Sequence, residues 1–290
     1  MNMTTDQKIP STNALLGYPE DARLLILNAD DFGMCHANNE AILQSLLEGV
    51  VTSTTLMTPC PWAPQAIKML QEHPEIPFGV HLTLVTDFHI YRWGPVASKS
   101  AVPTLVDDLG YLFQYDSQKV MLAQARIEEV EVEFRAQINT VLAAGLQPTH
   151  LDWHCLADGG RPDIFELTFR LAREHGLAVR VHLPESAAIC RSHGLPVHDH
   201  AVLDSYRYAP SEKAALFSRF LQELPPGLTE WAIHPSLGDG EAQALEPENW
   251  KIRRADYDFA VAPSTRELIE QERITLLDFR SLQQAWTGGR

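Results

Sequence analysis

Short apolar runs alternate along the chain with stretches whose apolar positions recur at helical spacing. Seven runs rich in Leu, Ile and Val read as strands: Arg23 to Ala29, Val50 to Met57, Gly79 to Val85, Thr149 to His154, Leu177 to Leu183, Glu230 to His234 and Ile274 to Phe279. Helical periodicity is clearest from Gln118 to Ala144, where Ile127, Val130, Phe134, Ile138 and Val141 recur at steps of three and four. It returns at Ala37 to Glu48, Pro64 to Glu72, Pro162 to Glu174, Ser211 to Leu221 and Ser264 to Gln271. Strand followed by helix, repeated without a linker or internal repeat, predicts a mostly parallel sheet covered by helices. The expected fold is α/β, an incomplete or distorted (β/α) TIM-like barrel. Residues 1–290 read as one domain, with residues 1–22 as a less ordered N-terminal extension.

Two stretches break the alternation and read as loops. Thr86 to Tyr115 carries Trp93-Gly94-Pro95 and Pro103, and Ser236 to Trp250 is acidic and contains glycine. Loops on a rigid scaffold carry binding groups, and in parallel α/β folds the site lies at the C-terminal ends of the strands. Polar residues that close apolar strands are therefore the candidates for chemistry.

Composition narrows the classes. A chain of 290 residues that is 45% hydrophobic has enough apolar material for a full core. Its formal charge of −15, with no Lys/Arg cluster, argues against nucleic acid as a partner. The polar start MNMTTDQKIPSTN lacks the pattern of a secretion signal, and no apolar run reaches membrane-spanning length, so a cytoplasmic protein without a membrane partner is expected. Cys35, Cys60, Cys155 and Cys190 show no C-x-x-C spacing and read as reduced thiols. Oligomeric state is left open.

Four strand ends are chemically loaded. In Leu24-Leu25-Ile26-Leu27-Asn28-Ala29-Asp30-Asp31-Phe32-Gly33 an apolar strand runs into adjacent carboxylates. A lone Asp here would cap a helix, but two like charges on a partly buried strand end call for a cation or proton. Gly79 to Leu84 (GVHLTL) places His81 inside an apolar strand, where by itself it reads as a core histidine. In Pro148 to His154 (PTHLDWH) a period of two puts His150, Asp152 and His154 on one face, hard to bury without a site. Glu230 to Ser236 (EWAIHPS) closes with His234, which alone could be a capping histidine.

Taken together, Asp31, His81 and His154 offer one carboxylate and two imidazoles, a donor set that leaves metal coordination positions open. Asp30 and His234 remain as an acid/base pair. That combination is the logic of metal-assisted hydrolysis.

At these residues the chain resembles the YdjC-like carbohydrate deacetylases, which include chitooligosaccharide deacetylases. The resemblance rests on NADDFG at Asn28 to Gly33, GVVTSTTL at Gly49 to Leu56, GVHLTL at Gly79 to Leu84 and PTHLDxH at Pro148 to His154, in that order, and runs from Leu24 to about Arg280. It implies an incomplete barrel, one divalent metal (Mg²⁺ first, Zn²⁺ as the alternative) and deacetylation of an N-acetylated sugar. By motif position it assigns the metal to Asp31, His81 and His154, the general base to Asp30, and a late His-Pro histidine to His234. Three departures leave the sugar undetermined: Trp153-His154-Cys155-Leu156-Ala157 replaces a His-rich run, Ser236 replaces a glycine, and an insertion carries Arg92, Trp93 and Gly94.

Other conspicuous residues take bland readings. Strand alternation turns Cys155 away from His154, so it is expected to pack. Trp62, Trp93 and Trp153 could stack on sugar rings but read first as core or boundary residues. Nothing draws His36, His198 or His200 into the site. The run Glu128, Glu129, Glu131 and Glu133 reads as a solvated helix face. Two other functions compete: a metal-free barrel glycosidase with Asp30 and Asp152 as its carboxylate pair, and a noncatalytic sugar- or metal-binding protein.

Overall fold

The computed structural model describes residues 10–288. Its strands are β1 (Arg23–Phe32), β2 (Ser53–Leu56), β3 (Phe78–Leu82), β4 (Val85–Thr86), β5 (Phe113–Gln114), β6 (His150–Trp153), β7 (Ala178–Val179), β8 (Leu203–Asp204), β9 (Gly227–Ile233) and β10 (Thr275–Leu277). The main sheet runs β7-β6-β3-β2-β1-β9-β8 and every pairing in it is parallel; β10 adds to β1 beside Leu24, Leu25 and Ile26. The sheet curls without pairing β7 to β8, which makes it an open half-barrel, the expected incomplete (β/α) fold.

The period of two along β1 explains how the barrel is filled. Leu24 and Ile26 enter one cluster with Leu228, Ala178, Leu277, Phe279 and Leu282, while Leu25, Leu27 and Ala29 enter the larger cluster shared with the helices. Continuing the inward face of β1 past Leu24 and Ile26 leads to Asn28 and Asp30, so the interior changes from apolar floor to polar mouth along a single strand. Arg180, just past β7, closes the mouth by reaching Asp30 of β1, Asp152 of β6 and Glu230 of β9. His150 belongs to the floor. Its ring stacks on Phe279 at 3.6 Å between centroids, and Gly79 has no side chain because a Cβ there would sit 2.5 Å from the imidazole.

Most predicted elements appear with shifted ends, and several expectations are corrected. The helical pattern Gln118 to Ala144 is two helices, Gln118–Gln124 and Ile127–Ala143. Arg161 makes the break favourable by donating to the carbonyls of Leu122 and Ala125 at 2.6 and 2.7 Å. The acidic run is only partly a solvated face, with Glu128 exposed and Glu131 half-buried. Glu129 and Glu133 are buried, and they accept hydrogen bonds from the amides of Thr104, Val96 and Ala97, which pins the Thr86 to Tyr115 segment to the barrel. The Ser236 to Trp250 segment contains a short helix, Gly240–Leu245, capped by Asp239. Helices Pro184–Ser192, Trp250–Val261 and Phe279–Trp286 and strand β8 were not expected. Of the N-terminal extension, residues 1–9 lie outside the described residues; Thr12–Leu15 forms a short helix, and the Thr12 hydroxyl donates to Val197.

Candidate metal centre

At the mouth of the half-barrel, β1 ends in a bulge. Ala29 pairs with Thr54 and Phe32 with Leu56, so β1 holds one residue more than β2 over this interval, and Asp31 takes a left-handed backbone with φ 72°. A regular strand would turn Asp30 and Asp31 to opposite faces. The extra residue lets both carboxylates enter the same mouth.

Asp31 Oδ1 lies 3.1 Å from His154 Nδ1 and 3.6 Å from His81 Nε2, and the three side chains are buried. Bonds of about 2.0–2.2 Å place neighbouring ligand atoms roughly 3–3.5 Å apart, so the first separation matches three donors on one ion, the second is slightly long, and all three ligand atoms lie within 4.8 Å of one another. Each imidazole is also oriented from behind. His81 Nδ1 sits 2.7 Å from Asp152 Oδ1, and His154 Nε2 sits 2.8 Å from Asp87 Oδ1. A carboxylate behind a ligating imidazole fixes its orientation and raises its basicity. The donor set and its supports therefore fit a divalent ion.

The electrostatics agree. Burial disfavours the cationic form of His81, but Asp152, Asp31 and Asp30 outweigh it and hold its pKa up at about 9. His154 is likewise raised against burial, by Asp87 and Asp31 among others. Burial opposes ionisation of Asp31, yet Arg253 at 2.6 Å and the two histidines keep it well below the usual carboxylate range. The acids around both imidazoles favour positive charge at this place.

Asp30 stands apart from this group. Its Oδ1 accepts from Asn28 at 2.5 Å and from Arg180 at 2.8 Å, while Oδ2 faces His234 Nε2 at 3.9 Å. Burial raises the Asp30 pKa, and Arg180 with His81 and His234 more than reverses that, so the carboxylate stays ionised. Behind His234 a relay fixes the ring: Nδ1 lies 3.2 Å from Ser205 Oγ, which donates to Asp256 Oδ2 at 2.5 Å, and Lys213 pairs with Asp256 Oδ1 at 2.6 Å. Tyr206 packs edge-on against the imidazole.

All five candidates thus meet at one end of a cleft of about 840 Å³, walled by Phe88, Ile90 and Tyr115 from the first predicted loop and Leu245 to Asn249 from the second. Other residues are placed elsewhere. Trp93 is buried behind His154 and Trp62 pairs with His36 outside the cleft lining, whereas Trp153 borders the cleft while its indole nitrogen donates to Thr168. Cys155 corrects its expectation. The strand has ended at Trp153, Cys155 adopts φ 60°, and its sulfur turns to within 3.4 Å of His154 Nε2. Asp87, Arg180, Ser205, Arg253 and Asp256 were not singled out in the sequence. Arg180 alone had a local signal, an arginine in an apolar strand pattern.

A profile of the YdjC-like protein family matches residues 24–271. The chain belongs to the YdjC-like family. A Thermus thermophilus relative named carbohydrate deacetylase is 33% identical over 263 residues, covering 86% of this YdjC-like chain and 90% of the relative. A Clostridium beijerinckii protein of the same name is 37% identical over 156 residues, covering 54% of this chain and 59% of that one. The crystal structure of an Enterococcus faecalis protein, designated a cellobiose-phosphate cleavage protein, superposes with a TM-score of 0.75 at 26% identity, covering 90% of this chain and 99% of that one.

Proposed function

We propose that this YdjC-like chain is a metal-dependent carbohydrate deacetylase that hydrolyses the N-acetyl amide of an amino sugar or oligosaccharide and releases acetate. The observation that carries this reading is the 3.9 Å approach of Asp30 Oδ2 to His234 Nε2 beside the Asp31, His81 and His154 donors. The names of the relatives support the substrate class.

Asp31, His81 and His154 would hold one divalent ion, Mg²⁺ as the family implies or Zn²⁺, which two imidazoles also accommodate. Once bound, the ion supplies a Lewis acid for the amide carbonyl. Asp30 receives a proton from the attacking water at Oδ2, since Oδ1 is occupied by Asn28 and Arg180. His234 delivers a proton to the departing amine nitrogen from Nε2, with its ring held at Nδ1 by Ser205. Phe88, Ile90 and Tyr115 present apolar surface on which a sugar ring can rest.

The glycosidase alternative loses its carboxylate pair. Asp30 and Asp152 both bind Arg180 Nη1 and both have lowered pKa values, so neither can remain protonated as a general acid at neutral pH. No described helix is long and apolar enough to cross a membrane.

The test is acetate release from N-acetylated mono- and oligosaccharides, with metal analysis of the same preparation. Chelation is expected to abolish release and a divalent ion to restore it, with circular dichroism unchanged. Full activity in metal-free protein would remove the proposal, and release of reducing sugar without acetate would revive the glycosidase.

A further inference from the structure

We propose that Asp87, His154 and Cys155 form a second metal site, for a thiophilic divalent ion such as Zn²⁺, on the opposite edge of the His154 ring from Asp31. Three donors of different chemistry converge there. Asp87 Oδ1 lies 2.8 Å from His154 Nε2, and Cys155 Sγ lies 3.4 Å from that nitrogen and 3.5 Å from that oxygen. Tetrahedral zinc, with bonds of about 2.0–2.1 Å to nitrogen and oxygen and about 2.3 Å to sulfur, separates a sulfur from a nitrogen or oxygen ligand by about 3.5 Å. Both sulfur distances match. Only the nitrogen–oxygen contact must open, by about half an ångström, to the roughly 3.3 Å that the same geometry sets.

The surroundings favour an ion at this place. Cys155 is exposed whereas Cys35, Cys60 and Cys190 are buried, so it is the thiol that a solvent ion can reach. Asp87, His154 and Cys155 all line the cleft, which leaves a fourth position for water. A thiolate selects zinc-like ions over Mg²⁺, so the two sites would differ in preference. Binding displaces the Nε2 proton that His154 shares with Asp87 and the thiol proton of Cys155, both released to solvent. With both ions bound His154 would also have released its Nδ1 proton and would bridge them as an imidazolate, which couples occupancy of the second site to the first.

The experiment titrates the metal-stripped full chain with Co²⁺ and Zn²⁺. Two ions per chain are expected, one of them giving sulfur-to-cobalt charge-transfer absorption in the near ultraviolet. Cys155→Ser and Asp87→Asn should each lose one ion and the band, with circular dichroism confirming that they fold. Asp31→Asn should keep the band while losing the other ion. Zinc loading should slow alkylation of Cys155 by iodoacetamide at least tenfold, as mapped by peptide mass spectrometry. Wild-type protein without the band, or alkylation unaffected by zinc, overturns the site; loss of the band in Asp31→Asn overturns it too, by placing the thiolate on the first ion. A chain that shows the band yet releases no acetate supports the second site and refutes the function proposed above.

Discussion

Asp30 and Asp31 are consecutive in the chain, yet each is held by a different arginine: Arg180 lies 2.8 Å from Asp30 Oδ1 and Arg253 lies 2.6 Å from Asp31 Oδ2. The remaining oxygen of Asp31 faces two imidazoles, and that of Asp30 faces one. Their roles should separate on mutation. Asp31→Asn should weaken metal affinity, so that excess ion partly restores the rate. Asp30→Asn should keep the metal and stay inactive at every concentration, with a loss of roughly 10²–10⁴-fold. Titrating both variants with Mg²⁺, Mn²⁺ and Zn²⁺ while measuring occupancy and acetate distinguishes them; metal loss in Asp30→Asn would reverse the assignment.

His234→Ala should lower kcat by roughly 10²–10⁴-fold with metal content unchanged. Ser205→Ala removes the group that holds His234 Nδ1 and should act in the same direction but less severely. If Ser205→Ala matches wild type in kcat while His234→Ala is inactive, the relay through Asp256 has no part in positioning the ring.

Asp152 supports His81 from behind and also binds Arg180. Asp152→Asn retains the shape but removes the charge, and about a 10–100-fold loss of metal affinity is expected. Isothermal titration with the stripped variant measures it. An unchanged affinity would mean that His81 needs no carboxylate behind it.

The ion-free protein should lose stability as pH rises above neutrality. His81 has a folded pKa of about 9, above the usual imidazole value near 6.5, so its contribution is complete below about 6.5 and disappears as pH rises through 9. A bound ion takes the place of that proton and should flatten the dependence. Thermal unfolding between pH 6 and pH 10, with and without metal, tests this; identical slopes would contradict it.

The order of strands, the helices between most of them and the polar residues at the strand ends were legible because periodicity is local. Two residues per strand repeat placed His150 and Asp152 on one face, and the apolar run of β1 into Asp30 and Asp31 marked the mouth. Local pattern also misled. Alternation cannot be extended past the end of a strand, which is why Cys155 faces His154, and a charge run reads as solvated until a loop supplies amides to Glu129 and Glu133.

The parallel α/β fold was readable from spacing along the chain, and the five residues that meet at the mouth from the polar ends of its strands together with the ordered motifs. What surrounds them could be read from no local pattern. Asp87 reaches His154 across 67 positions, Arg180 reaches Asp30 across 150, and Arg253 reaches Asp31 across 222. Those pairings depend on how the sheet curls and where the long segments fold back. They are required because buried charges must be balanced in space, whatever their distance in sequence.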